Sequence, residues 1–311
     1  MLHPSNQEWP GSAMAKEKDA FRIVGYRTDM SAGLAALRAD TTARHGAPCL
    51  WDAGERWLWP FTLCALQSRR LIAAAQVRPV AIVQEPGDAP HRLFVSLNAY
   101  ARWEGDAALY GALFARIEAL ARAMAAPLPA GHPVRLCASV LGSEGAARAF
   151  YEAHGFIPYL SILAMTGSTA IHPAAAVEGL EIQESDLLTD EGQFEDEDAF
   201  QLDPLGLPAA QPAREPRRTA LLAALRGEPC GRLVLWEQED QANIEDVFVQ
   251  PACRGRGVAR ALVAHGLRLL ASRGHGQASL QVLRANTAAL GLYQSLGFAV
   301  AAEETRLERP L

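Results

Sequence analysis

The stretch from residue 244 to residue 298 limits most strictly what this chain can fold into. Residues 244–249, Ile-Glu-Asp-Val-Phe-Val, alternate like a strand, and Pro251 stops the run. Arg254-Gly255-Arg256-Gly257 follows, and apolar residues then recur at helical spacing to about Ser272. A second strand is expected over 278–283, leading to Asn286. A short helix carries Tyr293, and Gly297-Phe298 closes the unit. Strand, glycine turn, helix, strand, helix is a compact α/β unit.

The glycine turn stands where a helix begins. The first four backbone N–H groups of a helix have no partner inside it. Glycines at 255 and 257 allow that backbone to approach an anion, and Arg254 and Arg256 add positive charge at the rim. A pyrophosphate suits such a place. The Lys-Ser/Thr pair of a P-loop is missing, and the glycine spacing is not that of the dinucleotide fingerprint. An exposed basic turn, or a fragment of an RNA-binding box, is the plain alternative.

Residues 249–259, Val-Gln-Pro-Ala-Cys-Arg-Gly-Arg-Gly-Val-Ala, resemble the acetyl-CoA signature of the GNAT superfamily of N-acetyltransferases, Arg/Gln-x-x-Gly-x-Gly/Ala. Residues 280–298, with Asn286, Tyr293 and the final Gly-Phe, resemble the next motif of that family, in order and correctly spaced. The resemblance implies an acetyl-CoA cosubstrate held by Val247, Phe248 and Val249 of the strand, by the turn and helix start Arg254, Gly255, Arg256, Gly257, Val258, Ala259 and Arg260, and by Asn286. It implies that backbone near Val247 stabilises the oxyanion, and that Tyr293 gives a proton to the leaving thiolate. Tyr293 is otherwise a core aromatic, and Asn286 a helix N-cap.

Acetyl transfer to an amine needs a base, because an amine of pKa near 10 is mostly charged at pH 7. Some relatives carry Glu five residues before the motif Asn, whereas this chain has Gln281. Glu245 is the expected base, acting directly or through a water; a strand-edge carboxylate with a structural partner is the plain alternative. Strand alternation places Glu245 on the face of Val247, with Asp246 on the other.

Composition narrows the class. The chain has 311 residues, 50% hydrophobic and 21% charged, enough for two domains. A formal net charge of −6 argues against a nucleic-acid binder. The five cysteines, at 49, 64, 137, 230 and 253, are scattered, and no CxxC pair or histidine cluster points to zinc, so no metal is expected. Reduced thiols fit a cytoplasmic protein. No apolar run reaches membrane-spanning length, and residues 1–18 read as a loose tail without a signal-peptide core.

Along the chain, strands are expected over 21–28, 61–67, 71–83, 92–97 and 134–140, with helices over 30–45, 106–124 and 146–154. Residues 150–156 parallel 292–298, and residues 102–107 parallel 254–259, so the chain reads as a tandem duplication. The fold class is α/β, or α+β: two tandem GNAT domains, each a mixed, mostly antiparallel sheet flanked by helices. The expected segments are a tail at 1–18, a degenerate domain at 19–165, a linker at 166–177 and a catalytic domain at 178–311. The tandem arrangement resembles the mycothiol synthase type within that superfamily. The first copy puts Glu104 and Asp106 where the second has Arg256 and Val258, and Glu144 where the second has Asn286. Carboxylates there would repel a diphosphate, so one cofactor per chain is expected.

In the second copy, 179–184 is expected as a strand, and 219–225 and 232–237 as a hairpin about residues 227–231. The acidic stretch 186–203 lies where GNAT domains build acceptor sites, and would attract a cationic amine; a solvated charge run is the plain alternative. The expected acceptor is a small-molecule or peptide amine, with the protein a monomer or homodimer and no nucleic-acid or membrane partner. A non-catalytic acyl-CoA-binding or regulatory module is the rival reading.

Overall fold

The computed structural model of the chain describes residues 21–45, 56–81, 89–170, 177–185 and 217–311. The tail at 1–18, Cys49, Trp51, residues 171–176 of the expected linker and the acidic stretch 186–203 lie outside the described residues. The chain divides into two compact units, Met1–Ile157 with Arg306–Leu311, and Pro158–Thr305.

The first unit carries β1 (Arg22–Gly25), α1 (Ser31–His45), β2 (Thr62–Gln67), β3 (Arg70–Ala81), β4 (His91–Ala99), α2 (Ala107–Ala125), β5 (Val134–Leu141) and α3 (Gly145–Ala153). β1 to β5 lie side by side in chain order; all neighbours are antiparallel except β4 and β5, which run parallel. Strand alternation sends successive residues to opposite faces. Leu63 and Ala65 join a core with Leu109, Leu113 and Ile117 of α2, while Cys64 and Leu66 join a smaller one with Leu34 and Leu37 of α1. The β2–β3 turn uses Ser68 and Arg69, both left-handed at φ 48° and 70°, the backbone a two-residue hairpin requires.

The second unit carries β6 (Ile157–Ser168), β7 (Leu180–Ser185), β8 (Arg217–Leu225), β9 (Glu228–Gln238), β10 (Gln241–Val249), α4 (Val258–Ser272), β11 (Gln277–Leu283), α5 (Thr287–Ser295) and most of β12 (Ala299–Pro310). Its strands are ordered β6-β11-β10-β9-β8-β7. Only β10 and β11 are parallel among the pairs from β6 to β7. α4 buries Leu262, Val263, Leu267 and Leu270 against Leu221, Leu233, Leu235 and Ile244. Gly266 lets this helix approach: a Cβ there would lie 3.2 Å from Leu233 Cδ2. The β8–β9 turn is tighter than the expected 227–231. Arg226 and Gly227, at φ 56° and 86°, make a two-residue turn, and 228–231 continue as strand.

The units also trade sequence relative to the expected segments. Residues 158–165 were grouped with the first domain, yet β6 pairs with β11 from Ile162↔Leu283 to Ser168↔Gln277 and counts with the second. Residues 306–311 were grouped with the second, yet Leu307 is fully buried in the first unit's core. Hydrogen-bond ladders between distant segments decide this, and local pattern does not report them.

β9 is clamped where it faces both β10 and α4. A Cβ on Gly231 would stand 2.8 Å from Phe248 O and 3.2 Å from Leu262 Cδ1. Gly231→Ala is therefore expected to lower stability by about 1–3 kcal/mol through overpacking. Thermal denaturation of the variant checks this, and an unchanged midpoint would show slack in that contact.

Candidate active site

Three local features build the site. The first is a break in the ladder between β10 and β11. Their parallel pairing includes Asn243↔Ser279 and Ile244↔Leu280 and stops there, while β10 stays paired with β9 as far as Val249↔Gly231. Among the described residues, the ladder of β10 continues beyond Ile244 with β9. In an antiparallel pair, half of the peptide groups of a strand point away from its partner.

The second feature is a bulge at Glu245. Ile244 opposes Leu235 and Asp246 opposes Val234, so Glu245 is the extra residue. The insertion resets the alternation. Val247 packs with Ile244 on the apolar cluster under α4. Glu245 turns outward, and Arg218 of β8 donates to it at 2.9 Å. Asp246 also faces outward, accepting from Arg232 Nε and Nη2 at 3.1 and 2.8 Å. The expected placement of Glu245 on the face of Val247 is thus corrected: one extra residue moves it to the opposite face, beside Asp246.

The third feature is the start of α4. Gly255 and Gly257 are left-handed, at φ 76° and 84°. Gly257 is the N-cap and supplies no side chain to the helix's first amides. The space around Gly255 is open to 4 Å. Arg254 Nε donates to Val249 O at 3.0 Å, folding the turn back on the strand end. Arg254, Arg256 and Arg260 are exposed, and Arg260 also reaches Ser295 Oγ on α5. Val258 is buried in the core and Ala259 partly so.

Tyr293 sits on α5, 7% exposed, edge-on to Phe298 with ring centroids 5.9 Å apart. Burial, and then the charge of Asp246, push its phenol up to about 12. The second cause places Asp246 within electrostatic reach of Tyr293, a link that alternation along the strand does not suggest. Asn286 caps α5, its Oδ1 accepting from Ala289 N at 3.1 Å. Tyr293 and Val258 share one apolar cluster, with Val247 and Val249 packed against it. Phe248 faces away from that cluster.

Residues 180–298 match the model of the Acetyltransferase (GNAT) family. They form a GNAT-family domain. A mycothiol acetyltransferase of Gordonia bronchialis is 37% identical over 78 residues, 24% of this chain and 25% of that protein. The chain thus aligns with only about a quarter of that curated relative's length. Two solved structures resemble nearly the whole chain. A GCN5-related N-acetyltransferase from Sphaerobacter thermophilus superposes with a TM-score of 0.67 at 19% identity, covering 94% of this chain and 96% of that one. A tandem GNAT protein from the clavulanic acid biosynthesis pathway gives 0.61 at 17%, covering 94% and 98%. The fold is that of tandem GNAT proteins.

The GNAT domain and the first unit differ at the matched helix start. In the first unit Asp106 is the N-cap of α2, and its Oδ1 accepts from Leu109 N at 2.8 Å. That helix end therefore holds its own anion. Glu104 is ion-paired with Arg44 and lies 3.5 Å from His45 Nε2, and Arg44 also donates to Ala99 O at 2.6 Å. Glu144, matched to Asn286, accepts from Leu141 N at 2.7 Å, and burial raises its carboxyl above the usual range. Tyr151, matched to Tyr293, is buried under α2.

Gly257→Glu puts a side chain and a negative charge at the uncapped start of α4. Acetyl-CoA binding is expected to fall below detection while far-UV circular dichroism stays native. Calorimetry finding unchanged affinity in the folded variant would remove the phosphate role of this turn.

Proposed function

We propose that the chain is an acetyl-CoA-dependent N-acetyltransferase that moves the acetyl group to an amine by direct attack, with its active site in the second unit. The observation that carries this reading is the glycine-framed start of α4, whose N-cap supplies no side chain, just after the end of β10. The acceptor is a small-molecule or peptide amine, and the setting is cytoplasmic.

The turn from Arg254 to Gly257, with the first amides of α4 at Val258 and Ala259 and the side chain of Arg260, would hold the pyrophosphate. The backbone of β10, from Val247 through Phe248 to Val249, would run beside the amide-bearing arm of the cosubstrate. Asn286 caps α5 with its oxygen alone, so its amide nitrogen remains a donor toward that arm. A main-chain N–H near Val247 would stabilise the oxyanion, already oriented before reaction begins. Tyr293 is protonated across the working pH range, because burial disfavours its phenolate. It can therefore donate toward the departing thiolate, and it cannot serve as the base. The base is Glu245, acting through a water, with Asp246 as the second carboxylate that the bulge brings to the same face. No metal enters this chemistry.

Each chain binds one acetyl-CoA on this reading, because Asp106 already occupies the matched helix end in the first unit. The rival, a non-catalytic acyl-CoA-binding module, is favoured by Gln281, an amide that takes no proton. Steady release of free thiol from acetyl-CoA with a library of amines separates the two: turnover supports the enzyme, and stoichiometric binding without turnover supports the module.

Tyr293→Phe is expected to lower kcat by about 10²–10⁴-fold while acetyl-CoA affinity is nearly unchanged. A variant with kcat close to that of the parent would take Tyr293 out of the mechanism. Glu245→Gln is expected to shift the acidic limb of the kcat/KM profile. If that limb moves only in Asp246→Asn, the base is Asp246. Titration with acetyl-CoA should give one site per chain, and two sites would return the first unit to cofactor binding.

A further inference from the structure

Two cysteines meet just before the glycine turn of the second unit. Cys230 lies on β9 and is fully buried in the apolar cluster. Cys253 ends the short 3-10 turn Pro251–Cys253, is partly exposed and packs against the same cluster. Main-chain bonds hold them together: Gln250 N donates to Cys230 O at 3.0 Å, and Cys253 N donates to Gln250 O at 2.8 Å. The two side chains share that cluster, within electrostatic reach of each other. Both are free thiols. Acetyl transfer as proposed uses neither.

We propose that Cys230 and Cys253 form a reversible disulfide, made by a peroxide and undone by a small thiol, that displaces the turn at 254–257 and weakens acetyl-CoA binding. The second half of this inference rests on that turn being the phosphate cradle.

The chemistry balances. Cys253, the exposed partner, attacks the peroxide as a thiolate. The O–O bond breaks, Cys253 becomes a sulfenic acid, and the released hydroxide leaves as water. Cys230, giving up its own proton, attacks the sulfenic sulfur; the S–O bond breaks, the S–S bond forms and a second water leaves. Two thiols lose two electrons in all, and hydrogen peroxide becomes two waters. Burial raises the Cys230 thiol above its ordinary value, so it is the resolving group rather than the first to react.

Geometry sets the consequence. A disulfide holds its sulfurs about 2.05 Å apart, well inside the contact distance of two free thiols. One side must move. β9 is fixed at this point, because Gly231, next to Cys230, has no room even for a Cβ against Phe248 O. Residues 254–257 are exposed and open to solvent. The displacement therefore falls on the segment that begins at Cys253 and continues into Arg254.

The test uses the full chain. Purified reduced protein is treated with hydrogen peroxide, quenched with catalase, alkylated and mapped by mass spectrometry without reduction. The expected product is one cross-link joining the peptides that contain 230 and 253, with the loss of two hydrogens. Its dissociation constant for acetyl-CoA should rise about tenfold, an effect of roughly 1.4 kcal/mol, and dithiothreitol should restore it. Cys253→Ser should form no cross-link and keep its affinity after peroxide. If both thiols stay alkylatable after peroxide, or the cross-link joins other cysteines, the dithiol is refuted. If the expected cross-link forms and affinity does not change, the displacement of the turn is refuted. Failure of the reduced protein to bind acetyl-CoA at all would count against the proposed function, while the peptide map would still decide whether the disulfide forms.

Discussion

The site depends on a helix end whose own N-cap, Gly257, supplies no side-chain acceptor. A helix N-terminus presents roughly half a positive charge and several amides that need acceptors. Proteins usually satisfy them with Asp, Asn, Ser or Thr at the cap. α2 does this with Asp106, whereas α4 begins on Gly257 and does not. Two helices that start at matched places in the chain are thus electrostatically opposite: one is closed by its own carboxylate, the other is open to an external anion. Gly in place of a polar cap costs only about a few tenths of a kcal/mol, so the start of α4 on Gly257 is a small stability cost at a place where a phosphate would offset it.

The bulge at Glu245 is the second constraint. A regular β10 would carry Ile244, Asp246 and Phe248 on one face, placing a carboxylate under α4. One extra residue keeps Ile244 and Val247 on the apolar side and turns Glu245 and Asp246 outward, each met by an arginine. The bulge also falls where the β10–β11 ladder ends. The same irregularity preserves the core and gathers the two carboxylates.

Much of this was legible in the residues. The period of Leu34 and Leu37 marks α1, and the glycine turn, the strand before it and Tyr293 stand where their motifs put them. Asp106 was readable too: an aspartate just before an apolar helical run is a cap signal, and reading it only as a charge repelling phosphate passes over the amide it holds. The bulge was not legible, because two adjacent acidic residues fit a regular strand and a bulged one equally well. Without it, Glu245 is assigned the wrong face and the proximity of Asp246 to Tyr293 is hidden. The borders of the units were not legible either. Nothing local in residues 158–165 says that their ladder partner is β11.

The return of Arg306–Leu311 to the first unit bears on the order in which the chain acquires structure. Leu307 is part of the core that α2 covers, and the whole second unit lies between it and Ile157 in sequence. A domain emerging from the ribosome ordinarily folds as its last residue appears. Here the first unit lacks a core side chain until the second unit has been made, and the loop to be closed spans that other unit. It must wait in an incomplete state while the second unit is made, with apolar surface uncovered and contacts of long sequence separation still to form. The earlier of the two units in the chain is thus completed only after the later one has been made.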